Sequence, residues 1–194
     1  MNSDEDVTTY RSKPAVFTGV ILLAVGLWLL IDSAVRDPGT DTLTVVGAVL
    51  AVGALVFALT LRAAVFAGPD RLRIRNPFRT IEIPWGAVTE VRAEYSLEVR
   101  TEDRSFHIWA VPVSLRDRKR AMRVNARAAA EHPYDDHHRS VTEAAVADHA
   151  VADLRGMADQ FGKESTGAVT VAWYWPVPAA IVVGAVLVAV GTSL

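Results

Sequence analysis

The sequence predicts a membrane protein of mixed α-helical and β class, with three transmembrane helices flanking one antiparallel β domain. Three charge-free apolar runs predict the helices, and a charged middle region with alternating apolar residues predicts the β domain. Mean hydropathy is +0.23 although 22% of the 194 residues are charged. That combination is typical of a chain divided between lipid and water rather than of a uniform globule.

Each of the three apolar runs is long enough to cross a bilayer, because a helix needs about 20 apolar residues to span the hydrocarbon. The runs are Pro14 to Ile31, Leu43 to Leu61, and a charge-free segment from Ser165 to Leu194. None contains an ionisable side chain, and such groups usually mark proton or ion pathways. The runs therefore argue against a pump or a charge-coupled transporter.

Five parts make up the predicted organisation of the chain. They are a cytoplasmic N-terminal tail (1–13), a transmembrane hairpin (14–61), a β domain with a closing helix (62–131), a helical extension (132–164) and a third transmembrane helix (165–194). Orientation follows from short-loop Lys and Arg residues, which favour the inner side. Arg11, Lys13 and Arg62 flank the hairpin, whereas its connecting loop holds three Asp and one Arg. The sequence thus predicts a multi-pass protein of the cell membrane with the β domain in the cytoplasm.

Alternation of apolar and polar residues begins directly after the second run. Leu72 and Ile74 alternate with arginines, "NPF" predicts a turn, and Ile81 and Ile83 continue the period in a second strand. Further short strands are predicted in "AAVFAGPD", "AVTEVRAE", "YSLEVRTED" and "RSFHIWAV". Helical periodicity then predicts one helix over residues 114–131 and another over 140–161.

The stretch "GPDRLRIRNPFRTIEIPWGAVTEVRAE" after two spans resembles the bacterial PH-domain membrane proteins of actinobacteria. The "RNPFR" turn, the "IPW" that closes the hairpin and the "AVTEVR" strand carry the resemblance, which covers roughly residues 15–130. It implies a PH-like fold for residues 62–131, namely a bent antiparallel barrel closed by a C-terminal helix. The second helix and the third span depart from the two-span pattern of that family.

Four arginines near the inner membrane face are the candidate ligand-binding residues: Arg71, Arg73, Arg75 and Arg79. Anionic headgroups attract such residues by about 1 kcal/mol each near the surface. Three interpretations remain open for them: the solvated face of a strand, non-specific headgroup contact, and a specific lipid pocket. The solvated face is the leading expectation.

Other polar and aromatic features are expected to be structural. Trp85 is predicted to pack with its N–H bonded to the backbone, and Trp109 to be more exposed. "HPYDDHH" and the pair His149 and Asp153 offer metal-ligand chemistry, although a polar loop between helices is the leading interpretation. The chain has no cysteine and no recognisable catalytic motif. We therefore expect no catalytic residue, no metal and no cofactor.

Three functions fit these features, and a membrane-anchored scaffold or protein-interaction module is the first. The alternative is an accessory subunit of a membrane transport or secretion assembly, and a lipid-acting or metal-dependent enzyme is the least favoured. The expected partners are membrane lipids, a protein of unknown identity and a second copy of the chain. The net charge of −2 argues neither for nor against nucleic acid. Nucleic acid is not expected as a partner because the alternating charge of "RDRKR" fits a solvent-exposed helix face better.

Overall fold

The computed structural model of this protein describes residues 7–36, 39–93, 97–110 and 142–193. Its helices are α1 (Lys13–Arg36), α2 (Thr40–Val56) with a π-helical continuation (Phe57–Arg62), a 3-10 turn (Trp85–Ala87), α3 (Thr142–Phe161) and α4 (Pro176–Ser193). Its strands are β1 (Thr8–Tyr10), β2 (Ala64–Ala67), β3 (Arg71–Arg75), β4 (Arg79–Pro84), β5 (Glu90–Ala93), β6 (Leu97–Arg100), β7 (Ser105–Ile108) and β8 (Thr170–Trp173). The strands form one five-stranded sheet in the order β1-β2-β3-β4-β8 and one three-stranded sheet in the order β5-β6-β7.

Three helical segments are long and apolar enough to cross a membrane, as predicted. They run over Lys13–Arg36, Thr42–Arg62 and Pro176–Ser193. Their large side chains are widely exposed, for example Trp28 on the first span and Val52 on the second, at 61% each. Exposed apolar surface of this kind is expected of helices whose solvent is lipid. The predicted combination of membrane helices with an antiparallel β region is confirmed.

The third span is shorter than its charge-free run. It begins at Pro176, and residues 170–173 in front of it form β8 instead of helix. Proline fits the first helical turn, where no N–H partner is lost, and it disfavours helix in the residue before it. The absence of charge over residues 165–175 therefore reflected an apolar strand and loop, which the sequence does not separate from the span.

The chain divides into two compact units. The first contains residues 1–10, 66–72 and 83–169, and the second contains residues 11–65, 73–82 and 170–194. The boundaries fall within β2, β3 and β4, so these strands contribute residues to both units. The second unit thus holds the three spans together with part of the sheet.

Glycines allow the helices of the second unit to approach closely. A Cβ at Gly47 on α2 would lie 2.6 Å from the carbonyl oxygen of Gly184 on α4, and a Cβ at Gly184 would lie 2.7 Å from the backbone nitrogen of Ala51. On α1, a Cβ at Gly19 would lie 2.6 Å from Cδ1 of Leu61. Small residues at these contacts let backbones pack in a setting where lipid gives no hydrophobic drive for association.

Strand β8 completes the sheet portion of the second unit. It pairs antiparallel with β4, with Arg79 opposite Trp173 and Glu82 opposite Thr170. The adjoining hairpin turn is closed by the Asn76 N–H, which donates to the Arg79 carbonyl at 2.9 Å. The predicted "NPF" turn is confirmed, but β8 was not predicted.

In the first unit, β5, β6 and β7 form an antiparallel meander. Leu97 lies opposite Ile108 and Val99 opposite Phe106, and all four side chains are buried. The Thr101 N–H donates to the Arg104 carbonyl at 2.8 Å and closes the turn between β6 and β7. The strands predicted in "AVTEVRAE", "YSLEVRTED" and "RSFHIWAV" are confirmed.

Helix α3 contacts β5 and the 3-10 turn of the same unit. Leu154 and Val151 are buried, and Arg155 donates from Nε and Nη2 to the Val91 carbonyl at 3.0 and 2.7 Å. The helix predicted over residues 140–161 is therefore present as Thr142–Phe161. The closing helix predicted over residues 114–131 lies outside the described residues.

Trp85 packs as predicted. It is 1% exposed, and its Nε1 donates to the carbonyl of Gly68 at 2.8 Å. Its own backbone N–H donates to Oγ of Ser165 at 2.9 Å. The aromatic ring thus fills the core of the first unit while its polar atoms remain bonded.

Candidate functional site

A basic cleft of about 670 Å³ opens in the second unit. We call it the arginine cleft. Its lining residues are Arg11, Val16, Phe57, Leu61, Arg62, Arg73, Arg75, Thr80, Glu82 and Tyr174. Among these described residues, four guanidinium groups therefore surround it and one carboxylate opposes them.

The arginine cleft lies where the three spans begin or end. Arg11, just before α1, donates from Nη2 to the Leu61 carbonyl at 3.0 Å, near the end of the second span. The Tyr174 N–H, just before α4, donates to the Phe78 carbonyl at 2.8 Å. Helix ends of a membrane protein lie at the level of the lipid headgroups. The cleft is accordingly placed at headgroup depth.

The π-helical segment Phe57–Arg62 supplies three of the lining residues. A π-helix bonds residues five apart, and short π segments inside α-helices occur frequently at functional sites. Here the segment turns Phe57, Leu61 and Arg62 toward the cleft. Thr60 supports it by donating from Oγ1 to the Val56 carbonyl at 2.6 Å.

Arg62 is the most buried of the four arginines, at 8% exposed. Its Nη1 donates to the carbonyl of Asn76, its Nη2 donates to Oγ1 of Thr80 at 2.9 Å, and its Cζ lies 4.1 Å from the ring centroid of Tyr174. All of these partners are uncharged, and within the described residues no ion pair involves Arg62. A buried charge without a counter-charge is costly, so an anion entering the cleft gains from its field.

The sheet wall of the cleft adds Arg73, Arg75, Thr80 and Glu82 on neighbouring strands. Arg73 Nε lies 2.8 Å from Glu82 Oε1, and this pair is partly exposed. An arginine has five N–H donors in a planar fork, so this single bond leaves Arg73 with further donor capacity. Guanidinium groups in this number favour phosphate or carboxylate as the ligand chemistry.

An apolar groove of about 500 Å³ adjoins the arginine cleft. Its lining comes from all three spans and the residues before α4: Leu23, Leu30, Val46, Val49, Leu50, Gly53, Ala54, Phe57, Tyr174, Pro176, Val177 and Ala180. Phe57 and Tyr174 line both cavities. A basic compartment and an apolar compartment therefore adjoin at these two side chains within one unit.

Two of the four candidate arginines line this cleft. Arg73 and Arg75 do, whereas Arg71 is exposed on the same strand outside it. Arg79 alternates with Thr80 along β4, so its side chain leaves the opposite face of the sheet.

The residues that the sequence did not single out for this site are Arg11, Arg62 and Tyr174. In the sequence, Arg11 and Arg62 were used only to predict the orientation in the membrane. The sequence offers one signal for this site, which is a basic residue at the end of a span followed at once by a strand.

The polar groups considered for metal binding are placed elsewhere or lie outside the described residues. "HPYDDHH" lies outside them, and His149 is exposed on α3. Asp153 accepts a hydrogen bond from the Tyr10 hydroxyl at 2.9 Å. Burial, then this bond and the charge of Asp153, raise the pKa of Tyr10 to about 12. Across the described ranges, no three His, Cys, Asp or Glu side chains are grouped to hold a metal.

Comparison with known proteins adds one match. Residues 62–135 match the family profile of the bacterial PH domain. The match covers β2 to β7 and leaves out β1, α1, α2, α3, β8 and α4. No curated protein and no solved structure matches the chain.

Proposed function

We propose that this chain, a membrane protein that carries a bacterial PH domain, is a non-catalytic scaffold that presents the domain to a protein partner at the inner face of the cell membrane. The domain assignment comes from the match over residues 62–135, and the membrane assignment from the three apolar helices. The predicted PH-like fold is thereby confirmed. The scaffold role is our proposal.

The short joints between spans and sheet carry this proposal. In the second unit, β2 begins at Ala64, two residues after the second span ends at Arg62. On the other side, β8 ends at Trp173 and α4 begins at Pro176. Joints of one and two residues leave little of the freedom that a flexible linker provides. Sheet strands fixed in this way suit a platform for a partner better than a domain that searches for one.

Charge at the span ends supports a cytoplasmic domain. Arg11, Lys13 and Arg62 lie at the end of the spans that carries the sheet, whereas Asp32 and Arg36 lie at the other end. The positive-inside rule then places the sheet in the cytoplasm. Single cysteines test this, because the chain has none of its own. Gly39→Cys should react with an impermeant thiol reagent on intact cells and Asp103→Cys should not; the reverse pattern would refute the orientation.

Site-specific photocrosslinking in native membranes tests the scaffold role. One probe replaces Asp103, in the exposed turn between β6 and β7, and a matched probe replaces Val52, on the exposed face of the second span. A scaffold should give a soluble partner from Asp103, and the same partner should be recovered after the spans are replaced by unrelated ones.

The accessory-subunit alternative predicts a different outcome. Its crosslinks should run from Val52 to other membrane proteins and be lost when the spans are replaced. Crosslinks to a second copy of the chain from Asp103 would instead identify the domain as a self-association surface. Either result, without a soluble partner at Asp103, would reject the scaffold proposal.

A further inference from the structure

We infer that the arginine cleft and the apolar groove together bind one anionic glycerophospholipid. Its phosphate lies among the arginines and one acyl chain lies in the groove. This site goes beyond the scaffold role and does not depend on it, since lipid binding and partner recruitment concern different surfaces.

Convergence of the arginines distinguishes the cleft from a solvated strand face. Arg11 comes from the segment before α1, Arg62 from the π-helical segment, and Arg73 and Arg75 from β3, yet all four line one cavity. Among the described lining residues only Glu82 opposes them, and it is paired with Arg73. A phosphate can accept several charge-assisted bonds from such groups at once. The cleft therefore has the charge and the donors for one phosphate.

The burial of Arg62 also supports a phosphate as the group bound in the arginine cleft. Its side chain is held by Asn76, Thr80 and Tyr174, so it does not reach out to solvent as a surface arginine does. Because its described partners are all neutral, its charge remains to be balanced. A lipid phosphate in the cleft would balance it.

The apolar groove beside the arginine cleft favours a lipid over a soluble phosphate as the ligand. A free anion would use the basic compartment only. The groove opens from the same two aromatic side chains, Phe57 and Tyr174, and runs between spans that face lipid. A glycerophospholipid joins a phosphate to an acyl chain, and this order of groups matches the order of the compartments. The headgroup provides the selectivity between phospholipids whose acyl chains are alike, and close packing of one acyl chain in the groove adds to the retention of the lipid.

The direct test is lipid titration of the purified full chain in neutral detergent, followed by native mass spectrometry. Phosphatidylglycerol should be retained more strongly than phosphatidylcholine, and glycerol phosphate should bind more weakly than the intact anionic lipid. The double variant Arg73→Gln/Arg75→Gln should weaken phosphatidylglycerol binding roughly thirtyfold, given the usual contribution of one basic residue near anionic lipid.

A charge-matched control separates the cleft from general attraction. Arg71→Gln/Arg100→Gln also removes two positive charges, but neither residue lines the cleft. It should change phosphatidylglycerol binding less than twofold. Thermal unfolding of both double variants verifies that they are folded.

Two leucine substitutions on the second span test whether the apolar groove holds the acyl chain. A Cβ at Gly53 would lie 3.6 Å from Leu23 Cδ2, an ordinary contact, so Gly53→Leu fills the groove, whereas Val52→Leu lies on the exposed face of the same helix. Gly53→Leu should lower lipid retention and leave glycerol phosphate binding unchanged, and Val52→Leu should alter neither. The inference would be overturned if phosphatidylglycerol and phosphatidylcholine were retained equally, or if the two arginine double variants lost equal affinity for phosphatidylglycerol. It would also be overturned if Gly53→Leu left lipid retention unchanged.

Discussion

The two units of this protein carry similar alternating strands but balance their charges differently. In the first unit, Glu90 pairs with Arg92 and lies 3.9 Å from Arg100, while Glu98 lies 3.0 Å from His107. In the second unit, four arginines share one cleft with a single glutamate. Alternation therefore identifies a strand in both units, whereas the local excess of one charge identifies the candidate site in only one of them.

The inward faces of the strands should behave alike in both units, and the largest effect is expected there. Ile81 is fully buried, so Ile81→Asp should cost several kcal/mol and unfold the protein, because an unpaired carboxylate would be buried. Thr80→Asp, one position along, should be tolerated since it places a carboxylate beside Arg62. Circular dichroism and thermal unfolding in detergent would measure both, and similar melting of the two variants would contradict the assigned faces.

Removal of Arg62 should have the next largest effect. Arg62→Met keeps much of the side-chain volume but removes the bonds to Asn76 and Thr80. Bonds made by charged groups contribute about 1.5–3 kcal/mol, so the loss of stability should be about 2 kcal/mol. Arg100→Met in the first unit, on an exposed strand position, should change the stability by less than about 0.5 kcal/mol. Equal unfolding temperatures for these two variants would remove the distinction drawn between the units.

An alkaline titration sharpens the comparison within the first unit. The pKa of Tyr10 is raised from 10.0 to about 12, mainly by burial and also by Asp153. A group with a raised folded-state pKa stabilises the protein below the unfolded pKa and loses that contribution as pH rises from 10 to 12. Tyr10→Phe should therefore flatten the fall in unfolding temperature over that range. An unchanged pH profile would show that the pKa of Tyr10 is not raised in the folded protein.

The smallest effect should come from the ion pairs of the three-stranded sheet. Glu90→Gln weakens contacts with Arg92 and Arg100, whose side chains are partly exposed. Exposed pairs of this kind contribute less than about 1 kcal/mol, and salt should abolish even that difference. A loss larger than that of Arg62→Met in the same melting assay would reverse the order proposed here.

The alternation of apolar and polar residues, together with the turn residues between the runs, was enough to predict most of the strands. Leu72, Ile74, Ile81 and Ile83 alternate cleanly with polar neighbours, and all four are buried. Strands β1 and β8 were missed because Thr8–Tyr10 is only three residues long and β8 lies inside a charge-free run. Pairing over such distances in sequence depends on tertiary contacts, which local propensity does not contain.

Only part of the candidate site could be predicted from the sequence. Arg73 and Arg75 were predicted because they belong to a run of arginines that alternate with other residues. The same run also led to the prediction of Arg71 and Arg79, which lie outside the cleft. Arg11 and Arg62 come from segments far apart in the chain and meet only because two spans end side by side. The π-helical segment that turns Arg62 inward has no sequence signature of its own, so its effect on the site required the structure.

The pairing of β8 with β4 has a consequence for synthesis of the protein. Residues 79–82 leave the ribosome long before their partners at 170–173, with α3 and its preceding segment made in between. Until β8 arrives, β4 has an open edge of the kind that invites wrong pairing. Contacts so distant in sequence form late and slowly. Insertion of the third span and closure of the sheet are thus coupled, and a chain cut before residue 170 keeps two spans but lacks the strand that covers β4.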